Sequence, residues 1–162
     1  MKTNALFALA LAALVTSGCG QKESTSSSAA AAPASGPREI EITANDTMKY
    51  SLNTIEAKPG EDIKVVLTNI GTQPVQVMGH DWVLLKAGSD VAAYDAAALN
   101  AKDTGYMPAS LNDEVIAKID LLGPRKSGEV EFKAPTTPGD YPYLCTFPAH
   151  YQAGMKGVLT VK

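Results

Sequence analysis

The sequence predicts an all-β sandwich of about eight short strands with one short helical flap. Three observations carry that expectation. Several stretches alternate apolar and polar residues, beginning with Ile40 and Ile42 among Glu39, Glu41 and Thr43. Turn signals recur every ~8–12 residues, in keeping with 13 Gly and 10 Pro in a chain of 162. Helical periodicity is clear only once, over residues 89–101. No segment repeats another, which excludes a solenoid.

The folded domain is expected over residues 39–162. Its first strand opens at Glu39, and Met48 to Ile55 reads as a second with weaker alternation. Lys58-Pro59-Gly60 is a turn. Ile63, Val65 and Leu67 mark a third strand, and Asn69-Ile70-Gly71 turns the chain. Val75 to Met78 is expected to begin a fourth strand that continues through Trp82 to Leu85, with Trp82 in the core. Ser89 caps the flap, whose Val91, Tyr94, Ala98 and Leu99 fall on one face. Residues 102–113 read as loop. Val115 to Leu122 is a strand with Ile116 and Ile119 inward, and Glu129 to Lys133 alternates around Val130 and Phe132. Tyr141 to Cys145 and Gly157 to Val161 complete the set.

Ahead of the domain, Lys2, the apolar run Ala5 to Val15 and Thr16-Ser17-Gly18 read as an export signal over residues 1–18. The apolar run is too short to span a membrane, which takes about 20 residues. Cys19 directly after Ser17-Gly18 resembles the lipobox of bacterial lipoproteins, in which that cysteine is acylated. Each buried CH₂ contributes about 0.8 kcal/mol, so two acyl chains anchor stably. The Ser- and Ala/Pro-rich residues up to 38 cannot bury a core and are expected to be a disordered tether spanning about 25 Å.

Charged residues make up 19% of the chain with a net charge of −3, and the pI is near 5.3. Neither sign is blocked into runs, which argues against a nucleic-acid partner. The two cysteines are not expected to pair, since each has another use.

That other use, for Cys145, lies in Cys145-Thr146-Phe147-Pro148-Ala149-His150-Tyr151-Gln152-Ala153-Gly154-Met155. A thiolate, an imidazole and a thioether fall at the end of one strand and before the next. Two soft sulfur donors and a borderline nitrogen suit copper. The chain holds one other histidine, His80, on a different strand. With it the set becomes two His, one Cys and one Met, the donors of an electron-transfer copper site. No histidine is left for a second metal centre, which argues against a multicopper oxidase or reductase and for a protein that is not an enzyme.

Val77-Met78-Gly79-His80-Asp81-Trp82-Val83-Leu84, together with the Cys145 to His150 stretch and Met155-Lys156-Gly157, resembles the azurins, a bacterial family of cupredoxins. The likeness implies an eight-stranded Greek-key sandwich and a single type 1 copper. It implies His80, Cys145 and His150 as equatorial ligands, Met155 as axial ligand and the Gly79 carbonyl as a distant second axial donor. It implies that residue 81 ties the ligand loops together through Thr146, with Phe147 alongside. It also implies an apolar docking patch of Met48, Met78, Phe147 and Ala149 around His150, extended by Tyr151. One-electron shuttling in the periplasm follows, with partners such as c-type cytochromes, nitrite reductase or a peroxidase. The tether and Cys19 resemble the lipid-anchored members, which implies the periplasmic face of a bacterial membrane, the outer membrane before the inner, or the soluble periplasm if Cys19 is not acylated.

The chain departs from that pattern in four places. Four residues separate His150 from Met155 where azurins have three. The family's N-terminal disulfide has no cysteines here. Asp81 replaces the usual Asn, and its charge is expected to favour Cu(II). Asn69 stands near the family's additional titrating histidine, leaving no free imidazole to report pH. Other uses of the same residues are a copper chaperone or buffer, a Cys145–His150 thiol hydrolase, and a zinc site. Ligands on strand ends argue for retention of metal, and a thioether is a poor fourth ligand for zinc.

Overall fold

The computed structural model describes residues 36–162. The export signal, Cys19 and the tether as far as residue 35 lie outside the described residues. Among the described residues, nine strands form two sheets. They are β1 (Arg38–Asn45), β2 (Lys49–Tyr50), β3 (Thr54–Ala57), β4 (Asp62–Asn69), β5 (His80–Leu85), β6 (Val115–Leu122), β7 (Ser127–Lys133), β8 (Gly139–Leu144) and β9 (Lys156–Val161). One sheet runs β2-β1-β4-β7 and the other β3-β9-β8-β5-β6. Both are mixed: β1 lies parallel to β4 and β3 parallel to β9, while the remaining pairs are antiparallel.

Alternation places the core. Ile40, Ile42 and Ala44 of β1 and Ile63, Val65 and Leu67 of β4 face Trp82, Leu84, Ile119, Tyr143 and Leu159 from the other sheet, all buried. Strand β5 departs from alternation because all six of its residues are buried. Its second face, Val83 and Leu85, packs with Leu144 under Tyr94 of the flap helix α2 (Val91–Ala98). The flap is thus the outer cover of the strand that opens at His80.

Six local expectations are corrected. The segment Met48 to Ile55 is two strands, since the chain leaves the first sheet after Ser51 pairs with Thr43 and joins the second where Asn53 accepts from Val158. Two short strands facing different sheets cannot share one alternation, which explains the weak pattern. Val75–Met78 is a single helical turn, α1, rather than the start of β5. Pro74 sets the fixed φ of its entry and its carbonyl accepts from the N–H of both Val77 and Met78, at 2.9 Å each. The flap is capped by Asp90, which accepts from Ala93 N–H at 3.0 Å, while Ser89 bonds Glu114 instead. Of its expected inner face, Tyr94 and Ala98 are buried but Leu99 is 47% exposed. In β6 Ile119 is buried, but Ala117 rather than Ile116 shares its inward face. Strand β1 opens one residue early, at Arg38. No helix among the described residues is long and apolar enough to cross a membrane.

Leu84→Ala removes a fully buried side chain from the core. It is expected to cost about 2–5 kcal/mol in urea unfolding. Lys133→Ala breaks only an exposed ion pair with Asp62, and its cost should stay below about 1 kcal/mol.

Candidate metal centre

The donors come from two places in the sequence. His80 is the first residue of β5, and Cys145 directly follows β8. His150 and Met155 sit in the loop from β8 to β9. A bulge re-aims the start of β5: His80 pairs with Leu122 and Trp82 with Ile119, so β6 carries an extra residue there. Gly79 leads into it. A Cβ at that position would lie 2.8 Å from the Val75 carbonyl oxygen and 2.9 Å from Leu121, so a side chain has no room.

The result is a buried cluster of His80, Cys145 and His150 whose ligand atoms all lie within 4.8 Å of one another. Cys145 Sγ is 3.4 Å from His150 Nδ1, and the two imidazole rings are 4.9 Å apart between centroids. Met155 is fully buried in the same core. Neither ring nitrogen of His80 has a hydrogen-bond partner, although the residue is fully buried. An imidazole stranded in that way is costly unless a cation takes up a lone pair. Two nitrogens and two sulfurs, clustered and buried, fit a copper ion.

Backbone hydrogen bonds close the ligand loop. Cys145 N–H donates to the Met155 carbonyl at 3.1 Å, and Met155 N–H donates to the His150 carbonyl at 2.9 Å. His150 N–H in turn donates to Phe147. The four intervening residues form a helical turn, with Ala153 N–H on the Ala149 carbonyl and Gly154 N–H on that of Tyr151. The turn absorbs the residue by which the loop exceeds the azurin spacing. Gly154 sits at φ +94°, a conformation that glycine supplies without strain.

Asp81 ties the two segments. Its carboxylate accepts from Thr146 N–H at 2.7 Å and from the Thr146 hydroxyl. The Tyr50 hydroxyl donates to the Asp81 carbonyl. Burial raises the Asp81 carboxyl to about 6 despite both Thr146 bonds. Burial, then the Asp81 charge, pushes the Cys145 thiol well above its ordinary range. A bound cation reverses that, because a coordinating thiol is deprotonated outright. Burial lowers His80, and burial together with the neighbouring His80 lowers His150 to about 4. Both imidazoles are therefore neutral at pH 7, as ligation requires.

The expected docking patch is only partly placed at the surface. Ala149 is exposed and Met48, Met78 and Tyr151 are half-buried. Phe147 is 7% exposed, its ring tilted against His150 at 4.8 Å and meeting Tyr106 edge-to-face at 5.3 Å between centroids. The sequence reading missed Val77, which is 58% exposed three residues before His80, because a strand assignment hid the turn that presents it. It also missed Tyr106, whose signal was the one aromatic residue of the 102–113 segment, beside Gly105. Tyr151 turns to Lys156, whose ammonium lies 4.3 Å from its ring centroid. Asn69 is buried and bonded at both ends of its amide, to Leu122 and Gly71. Cys145 is free.

Two packed mixed sheets with a buried His₂Cys cluster at one end define a copper-binding β-sandwich. The family model for copper binding proteins of the plastocyanin/azurin family matches residues 38–162, and the chain belongs to that family. Its cofactor is one type 1 copper ion, and the resemblance to azurins is borne out. Auracyanin-B of Chloroflexus aurantiacus is 37% identical over 119 residues, 73% of this chain and 49% of that protein, so the match spans about half its length. Azurin of Pseudomonas aeruginosa is 33% identical over 126 residues, covering 76% of this chain and 84% of the relative. The dithionite-reduced auracyanin of Roseiflexus castenholzii superposes with a TM-score of 0.69 at 38% identity, over 78% of this chain and 98% of that one.

With the metal removed, stability should fall as pH drops from about 6.5 towards 4, since the unfolded chain protonates His150 there and the folded chain does not. The raised Asp81 works in the opposite sense, because below about 6 it takes up a proton more readily folded than unfolded. Metal-free Asp81→Asn should therefore lose stability more steeply over that window than wild type. Urea midpoints measured across it check the sign, and equal slopes in the two proteins would contradict the raised Asp81.

Proposed function

We propose that this chain is a one-electron carrier whose copper would be held by His80, Cys145, His150 and Met155, with the Gly79 carbonyl as a weaker donor. The observation that carries it is the buried cluster with ligand atoms within 4.8 Å of one another. Copper bound there supplies a single electron by cycling between Cu(II) and Cu(I). The chain's part is to keep the donors still. Strand β5 and the backbone-bonded loop fix them, burial excludes water, and a site that does not rearrange suits both oxidation states.

Exit at His150 fits its position beneath Ala149 and beside Phe147. We read Ala149, Met48 and Met78, with Phe147 below and Val77 added, as the surface that docks redox proteins such as c-type cytochromes, nitrite reductase or a peroxidase. The export signal and Cys19 support a location on the periplasmic face of the outer membrane, held by acyl chains on Cys19. Cys19→Ser should move the protein from the membrane to the soluble fraction of fractionated cells, and an unchanged distribution would refute the anchor.

Titrating the metal-free chain with Cu(II) should give an intense blue band at one equivalent, bleached reversibly by reductant and absent in Cys145→Ser. A colourless protein that hands Cu(I) to acceptors would instead indicate copper handling. In the same material Asp81→Asn should raise the reduction potential by tens of millivolts, about 59 mV being a tenfold change in a one-electron equilibrium. Asn keeps an acceptor for the Thr146 N–H and a donor for its hydroxyl, so only the charge is lost. A lower or unchanged potential would refute the electrostatic role.

A further inference from the structure

The turn between His150 and Met155 holds its own shape through internal hydrogen bonds, but those bonds do not say where it sits against the sheets. Two side chains distant in sequence do. Lys49, on the short edge strand β2, donates from Nζ to the Ala153 carbonyl. Asp95, on the flap helix, accepts at Oδ2 from the Gln152 side-chain amide. One reaches in from the four-stranded sheet and the other from the helix covering the five-stranded sheet. They meet adjacent residues of the same turn.

Neither contact is explained by packing. Asp95 is 2% exposed, and its Oδ1 has no partner. The flap's apolar face is complete with Tyr94 and Ala98, so an alanine at 95 would serve the core better than a carboxylate with one hydrogen bond. Burial pushes the Asp95 carboxyl up, and only the Gln152 bond opposes it. Lys49 is seated as closely: a Cβ on Gly154 would come within 2.7 Å of its Nζ. Its strand is positioned by a tight turn in which Met48 N–H donates to the Asn45 carbonyl at 3.0 Å. The turn matters to the site because Met155 is bonded through its N–H to His150 and through its carbonyl to Cys145. Displacing residues 151–154 moves Met155 against both.

We propose that Lys49 and Asp95 are positioning residues that clamp the 151–154 turn from two sides and thereby set Met155 relative to Cys145 and His150. The inference rests on the ligand assignment proposed above. It identifies the flap as a support of the site as well as a cover for β5.

The test uses the full copper-loaded chain and reads the visible spectrum, the electron paramagnetic resonance signature of Cu(II) and the reduction potential. None of these moves if the contacts only stabilise the fold. Lys49→Met with Gln152→Ala removes both contacts through exposed side chains, and a urea midpoint measured alongside reads the cost of leaving the Asp95 carboxylate without its one partner. The pair should alter the ratio of the two strongest visible bands, shift the potential and speed copper loss to a chelator several-fold. Asp95→Leu should do the same from the buried side, whereas Asp95→Asn, which can still accept from Gln152, should match wild type. A blue wild type with wild-type spectra and potential in the double variant overturns the clamp alone. A wild type that never turns blue overturns the ligand assignment beneath it.

Discussion

The Asp81 carboxylate accepts from the backbone N–H and the hydroxyl of Thr146, and these bonds join segments 65 residues apart in sequence. His80 precedes one partner and Cys145 precedes the other. Without the tie, the start of β5 and the ligand loop would be registered only by the β5–β8 ladder at Val83 and Leu84, which stops short of both His80 and Cys145. A hydrogen bond to a buried charged acceptor contributes more than a neutral one, about 1.5–3 kcal/mol. Breaking it would strand a buried charge. The pair therefore fixes distance and also penalises alternatives.

Rigidity around that tie comes from covering both faces of β5. Most strands of the molecule bury one face. β5 buries both, the inner one on Trp82 and Leu84 and the outer one under the flap. A strand packed on both sides has little freedom to twist or slide, so a ligand at its first residue inherits that stiffness. Cys145 gains the same property from the neighbouring β8, which pairs with β5 through Val83 and Leu84 and with β9 along its whole length. The soft part of the centre is left to the loop between β8 and β9.

Much of this was legible in the sequence, for identifiable reasons. Strands β1 and β4 each bury one face and border their sheet's interior, so period-two alternation survives in Ile40, Ile42, Ile63, Val65 and Leu67. The donors Cys145, His150 and Met155 are close in sequence, and His80 was the one other histidine. What was missed depends on contacts between remote segments. Met48 to Ile55 changes sheets midway. Val75 and Val77 are β-branched and apolar, yet Pro74 and the close approach of Gly79 to Leu121 turn their segment into a helix. Phe147 follows a ligand, and only the ring of Tyr106 laid against it shows that it is covered. Nothing local marks Asp95 as buried, because its partner Gln152 arrives from 57 residues away.

The additional residue before Met155 illustrates how far spacing can be trusted. Counted along the chain, it displaces the thioether by one position from the azurin pattern. In space the displacement is taken up by the i→i+4 bond from Ala153 to Ala149 and by the left-handed Gly154, so that Met155 still meets Cys145 across the base of the loop. Loop length therefore does not by itself set the axial donor. The two backbone bonds of Met155 set its register at the base of the loop, and whatever orients the turn above them sets its residual freedom. On the clamp proposed above, the position of the Met155 sulfur is a property of the whole sandwich end, including β2 and the flap, more than of the ligand motif in which it is read.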